Sequence, residues 1–198
     1  MKKFVLVALS SLMIIGTATT AIGDGRVKVS FNQQKSGVEV AASQTNSVID
    51  VVERLGGFAA YERNTANLKI EKPNVNLLIL EGIQQNRNKD IVFSNPIMRY
   101  YEKDIARNFG VFVEVDNVPE AREVTTRVRI VAPNGRVVEN GKERKFSAGN
   151  NSSFFFSQSF IATKLEQFGT YKVQVVMKKD KGPEVVVGEN SFTVGNGK

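Results

Sequence analysis

The sequence predicts a small α+β module followed by an all-β sandwich. Three observations carry that prediction. A single stretch of helical apolar spacing, Val48 to Leu55, lies among strand candidates in the first third of the chain. From Ile91 to Val194 the signals are almost entirely strand and turn, with about seven short runs separated by Gly, Asn and Pro. Between the two lies Gln84 to Asp90, which has no apolar residue and reads as a linker. The predicted organisation is a leader over 1–21, a module over 26–83, a linker over 84–90 and a sandwich over 91–194.

The leader has the three parts of an export signal. Lys2 and Lys3 supply the positive start, Phe4 to Ile15 the apolar run, and Thr19-Thr20-Ala21 the small-x-small cleavage pattern. The apolar run falls short of the roughly 20 residues a membrane span needs. The mature protein is therefore expected to begin near Ile22 and to work outside the cytoplasm.

In the module, Val27-Lys28-Val29-Ser30-Phe31 alternates as a half-buried strand, and Val38-Glu39-Val40 is a second strand, with Asn32 to Gly37 as the turn. Asn46 or Ser47 can cap the helix that carries Val48, Ile49, Val51, Val52 and Leu55, and Gly56-Gly57 stops it. Phe58 to Tyr61 and Asn67 to Glu71 form a hairpin around Arg63-Asn64-Thr65. Val75 to Leu80, nearly continuous in apolar residues, is a strand buried on both faces. The helix ending in Leu55-Gly56-Gly57, followed by Phe58, Tyr61, Thr65 and Leu68-x-Ile70, resembles the copper amine oxidase N-terminal-like domain. That resemblance implies an accessory module of exported Gram-positive proteins, without copper chemistry. It spans roughly Arg26 to Gly82 and departs at the helix entry, where the family's Val-Pro-Leu-Arg run is replaced by Val48-Ile49-Asp50-Val51. A generic helix packed on a small sheet describes the same residues equally well.

In the second unit, Val111, Val113 and Val115 share one face of a strand, and Val124, Thr126, Val128 and Ile130 share the inward face of the next. Pro133-Asn134-Gly135 is a hairpin turn of the type I′ kind, leading into Arg136 to Glu139 and a further turn at Asn140-Gly141. Ser152 to Ala162 is a long strand with Phe154, Phe156 and Phe160 in phase and Phe155 opposite. Tyr171, Val173, Val175 and Met177 then alternate inward against Lys172, Gln174 and Lys178. Val185 to Val187 and Phe192 to Val194 close the unit. Gly169-Thr170-Tyr171-Lys172-Val173 sits where an immunoglobulin-type sandwich places its tyrosine corner, with Val173 at the position antibody domains give to cysteine. The unit thus resembles a bacterial Ig-like domain without the disulfide.

Composition excludes several chemistries. The chain has no cysteine and no histidine, so disulfides, thiol catalysis, Ser-His-Asp triads and histidine-rich metal sites are ruled out. No acidic calcium loop, phosphate loop or basic–aromatic pattern for nucleic acid is present. The expectation is therefore no catalytic residue, no metal, no cofactor and no nucleic-acid partner. The net charge of +7 includes Lys2 and Lys3 of the leader, so the mature chain carries +5, dispersed among acids. Outward Arg127 and Arg129, with Lys172 and Lys178, are the one constellation suited to an anionic partner.

Other groups have structural readings. Phe154-Phe155-Phe156 is expected to line the core with two rings and cover an edge or the first unit with the third. Tyr100-Tyr101 is expected to seal the seam between units. Glu114, Asp116 and Glu120 cluster near Asn117-Val118-Pro119 without a defined carboxylate spacing. Asn150 and Asn151 satisfy N-x-S, which matters only in a eukaryotic secretory route. The leading expectation is an exported, non-catalytic binding, structural or assembly protein of a Gram-positive cell surface. Its partner is a protein or an anionic wall polymer, and it has no integral membrane span, lipid anchor or sortase-type tail. The alternatives are a secreted inhibitor using the Gly141 to Gly149 loop, and a carboxylate-dependent wall hydrolase.

Overall fold

Period-2 alternation governs the architecture. The computed structural model describes residues 25–88, 90–100, 102–147 and 153–195, and among them it contains fifteen strands and one α-helix. The leader, Lys89, Tyr101, Gly149, Asn150 and Asn151 lie outside the described residues.

The first sheet contains β1 (Arg26–Phe31), β2 (Gln34–Ala41), β3 (Phe58–Glu62) and β4 (Asn67–Glu71) in the order β2-β1-β4-β3, with β1 and β4 parallel. Alternation gives this sheet one apolar face, where Val27, Val29, Leu68 and Ile70 are buried. The helix α1 (Thr45–Arg54) covers that face through Val48, Ile49 and Val52. It starts ahead of Asn46 and Ser47, because a 3₁₀ turn at Ala42–Gln44 leads straight into it and the Thr45 hydroxyl donates to the Ala42 carbonyl at 2.8 Å. The turn between β1 and β2 is tighter than Asn32 to Gly37. Asn32 and Gln33 alone make it, at φ 43° and 67°, so Gln34 to Gly37 extend the strand.

Two larger sheets pack face to face. One is β13 (Ser153–Lys164), β9 (Ala106–Asp116) and β5 (Asn74–Leu80), in that order. The other runs β11 (Val137–Asn140), β10 (Val124–Val131), β14 (Gly169–Lys179), β15 (Glu184–Val194) and β8 (Arg99–Tyr100), with β12 (Arg144–Phe146) also paired to β10. They share one core. Val111, Val113, Val115, Phe156 and Phe160 come from the first sheet, and Val128, Ile130, Val173, Val175, Met177 and Phe192 from the second. This is a β-sandwich, antiparallel except where β8 joins β15, and its corner has the predicted geometry: buried Tyr171 accepts a hydrogen bond from the Gln167 backbone N–H at 2.8 Å through its hydroxyl.

The structure corrects four local readings. Val75 to Leu80 does not pair with the first sheet: β5 bonds antiparallel to β9 across Asn74–Leu80. Pro73 explains the crossing, since it lacks the N–H that would prolong β4 and it follows directly on Lys72. β5 is buried on one face along most of its length, with Leu77 and Ile79 in the core and Leu78 exposed. The polar Gln84 to Asp90 stretch is the end of a hairpin joining β6 (Ile83–Gln85) to β7 (Ile91–Phe93), where Asn86 caps the Asn88 and Asp90 N–H groups. At Pro133-Asn134-Gly135 the proline locks a negative φ, so the pattern is not type I′. Only Gly135 takes the left-handed conformation, at φ 85°.

Candidate functional site

The register of β10 and β14 puts Arg127, Arg129, Lys172 and Lys178 on the outer face of the larger sheet, with Arg127 opposite Val176, Arg129 opposite Gln174 and Lys178 opposite Thr125. Their surroundings correct the picture of a basic face. Arg127 Nη2 bonds Glu184 at 2.8 Å, Lys172 Nζ pairs with Glu189 at 3.0 Å, and Arg129 Nε donates to Gln174 Oε1 at 2.8 Å. Burial alone would raise the Glu189 carboxyl, but the bonds from Gln174 and Lys172 outweigh it and hold the group below its ordinary range. Arg127 and Lys178 line a cleft of about 150 Å³ together with Glu123, Glu143, Asp180 and Glu184. Cations and carboxylates are interleaved there, so the face is charge-balanced and offers an anion little net attraction.

The three carboxylates near the β9–β10 loop do not act together. Glu114 accepts from Asn76 at 2.9 Å on the outer face of β9, while Glu120 turns to Gln33 and Lys69. That turn belongs to a charged junction between the first sheet and the sandwich. Glu71, at the end of β4, is 6 % exposed. It receives Lys179 Nζ from β14, Lys69 Nζ at 3.3 Å and the Glu120 backbone N–H at 3.1 Å. Glu120 holds the Lys69 ammonium above its ordinary pKa, and Lys69 in turn holds the Glu120 carboxyl below its own.

Tyr100 lies away from this seam. Its ring meets Phe192 edge-on at 5.6 Å in the sandwich core, with the Arg107 guanidinium 5.0 Å from its centroid. Burial there pushes its hydroxyl pKa up. The Gly141 to Gly149 segment is not a free end loop over its described residues, because Arg144–Phe146 pair with β10 and the Phe146 ring stacks on Phe154 at 3.8 Å.

Phe154 and Phe156 face the core, as their phase predicts, and Phe155 points out and is 60 % exposed. It stands at one end of an apolar strip across the outer face of the three-stranded sheet. Phe155 lies 6.0 Å from Phe112, Phe112 lies 4.9 Å from Phe93, and Leu78 is the register partner of Phe112 on β5. The β6–β7 hairpin lies over the same face. A Cβ on Gly110 would fall 2.8 Å from Ile83, so the glycine is what lets the hairpin sit down. Ile91, Val92 and Phe93 of that hairpin remain exposed. The sequence carried a signal for this strip that the inward-facing pattern hid: Phe112 is an apolar residue out of phase with Val111 and Val113, as Leu78 is with Leu77 and Ile79.

These features define an Ig-like β-sandwich joined to a four-stranded sheet with one helix. No family model matches the chain, and no curated protein matches it. Among solved structures it is similar to a Bacteroides uniformis β-glucuronidase at 15% identity and a TM-score of 0.39, over 60% of this chain and 13% of the glucuronidase. It is also similar to the CARDB domain of a Pyrococcus furiosus protein (14% identity, TM-score 0.31, 64% of this chain and 97% of that one). A third similar structure is an immunoglobulin-like protein from Pseudomonas aeruginosa (15% identity, TM-score 0.30, 62% and 96%). The chain thus spans about an eighth of the glucuronidase's length. All three TM-scores lie below 0.5, and the sandwich rests on its own strand pairing and shared core. Among the described residues no helix is long and apolar enough to cross a membrane.

Proposed function

We propose that this is an exported, non-catalytic binding or assembly protein of a Gram-positive cell surface, and that its partner is a protein. The observation that carries the reading is an apolar strip whose exposed members are Leu78, Phe93 and Phe155, with half-buried Phe112 packed between the two rings. Large apolar side chains held in water on a rigid sheet mark an interaction surface. The strip is bordered by Ser157 and Ser159 of β13, Asn76 of β5, and Glu114 of β9, which stands opposite Phe155 in the register and accepts from Asn76, all exposed. An apolar centre with a polar hydrogen-bonding rim is the anatomy of a protein interface. A polyanion would gain nothing from it, and the charge-balanced opposite face offers such a polymer little more. The tripartite leader supports export.

A pull-down from the surface fraction of the producing organism tests this, using the mature protein and its Phe93→Ser/Phe155→Ser variant. A protein held saturably by the wild type and lost with the variant is the expected result. Equal retention by both would overturn the reading.

A further inference from the structure

The polar face of the four-stranded sheet is the floor of a groove of about 780 Å³, within the roughly 300–1,000 Å³ typical of ligand sites. One wall is the loop after β9, whose Glu120 reaches over to Gln33 at 2.8 Å and to Lys69. Strand register lays the floor in rows. Lys35, Ser30 and Lys69 stand side by side on β2, β1 and β4, and Lys28 stands beside Asn67 in the next row.

Two of the three carboxylates lining the groove are ion-paired, and the third, Glu62, is bonded by a neutral hydroxyl only and keeps its charge. Glu120 is held by Lys69 and Gln33, Glu39 pairs with Arg26 at 3.7 Å, and Glu62 accepts from the Thr65 hydroxyl at 3.1 Å. Among the described residues the ammonium groups of Lys28 and Lys35 have no hydrogen bond or ion pair. Ser30 Oγ accepts from Asn67 Nδ2 at 3.0 Å, which leaves the serine's own proton available. Two unpaired ammonium groups and one free hydroxyl donor thus line one concave surface, where they outnumber the single uncompensated carboxylate, Glu62. Donors arriving from two strands suit a tetrahedral oxyanion, which offers more oxygens and more directions than a planar carboxylate.

We propose that this groove binds a phosphate group through Lys28, Lys35 and the Ser30 hydroxyl. The group is either free phosphate or a phosphate esterified in a polymer, and the groove is larger than one ion requires. The site is separate from the apolar strip, so its fate and that of the protein-binding reading are independent.

Titrations of the mature protein, followed by backbone amide NMR, test it with four probes: inorganic phosphate, glycerol 3-phosphate, a glycerol phosphodiester oligomer and acetate. The expected result is saturable shifts at Lys28, Ser30, Lys35 and Asn67 with a phosphate probe. Binding should weaken at least tenfold in Lys28→Gln/Lys35→Gln, and Lys172→Gln on the outer face of the sandwich should leave it unchanged. Tighter binding of the oligomer identifies a polymer as the source, and tighter binding of inorganic phosphate identifies the free ion. Loss of saturation with all three phosphates, undiminished affinity in the double variant, or equal affinity for acetate would overturn the proposal. Both lysines are exposed, so the double variant is expected to fold, and its amide spectrum reports that directly.

Discussion

Tyr171 fixes the sandwich corner with one hydroxyl. The ring is buried against Phe192 at 5.5 Å, and the oxygen accepts the Gln167 N–H. Tyr171→Phe keeps the packing and removes only that bond, so it should lower stability by about 1 kcal/mol in urea denaturation. Burial also raises the Tyr171 pKa, with the Gln167 bond opposing it. Its contribution is therefore complete below the ordinary pKa of 10.0 and declines as pH rises above it. Gly188 is constrained differently. A Cβ there would lie 2.6 Å from Val75 Cγ1, where β15 faces β5 across the core. Gly188→Ala should cost about 1–3 kcal/mol by the same measurement, as overpacked cores do. The tyrosine corner and the buried Val173 were legible in the sequence because local alternation determines them. The need for Gly188 was not, because it arises from a strand more than a hundred residues away.

The same distinction holds for whole elements. Strands with clean alternation, such as β10 and β14, were legible with their inward faces. β5 belongs with the sandwich rather than with the 26–83 module, and its sequence does not show this because Asn74–Leu80 carries no local record of its partner β9. The polar stretch before β7 read as a linker because a hairpin turn and a linker share the same composition. The junction of β4 with β14 was invisible for a related reason: Glu71, Lys69, Glu120 and Lys179 look like ordinary surface charges until the fold brings them together. Its pH behaviour follows from the directions of the two shifts. Glu120 is depressed, so its contribution is present above the ordinary value of 4.5 and lost as pH falls through its lower folded value. Lys69 is raised, so its contribution is present below 10.5 and lost as pH climbs through its higher folded value. Urea midpoints of the wild type and Glu120→Gln should therefore differ at neutral pH and converge in acid. A constant gap down to pH 2 would contradict this.

At the scale of the molecule, the two outer faces of the sandwich have opposite character. One interleaves Arg127, Lys172 and Lys178 with Glu184 and Glu189, and the other shows Leu78, Phe93 and Phe155 to solvent. Lacking disulfides, the fold depends on its shared core, whereas Phe155 lies outside that core. Phe155→Ser should thus change stability by less than about 0.5 kcal/mol while weakening partner binding strongly, as loss of an exposed aromatic anchor does. The charged face was partly legible in the sequence, since its four basic residues do share one side, but the carboxylates that pair with Arg127 and Lys172 come from β15 and only the fold supplies them. The most direct measurement is site-specific photo-cross-linking in the producing organism's surface fraction, with a photoreactive residue at position 155 in one protein and at position 174 on the opposite face in another. The account predicts a discrete protein adduct from position 155 and none from position 174. No adduct from 155, or the same adducts from both faces, would contradict it.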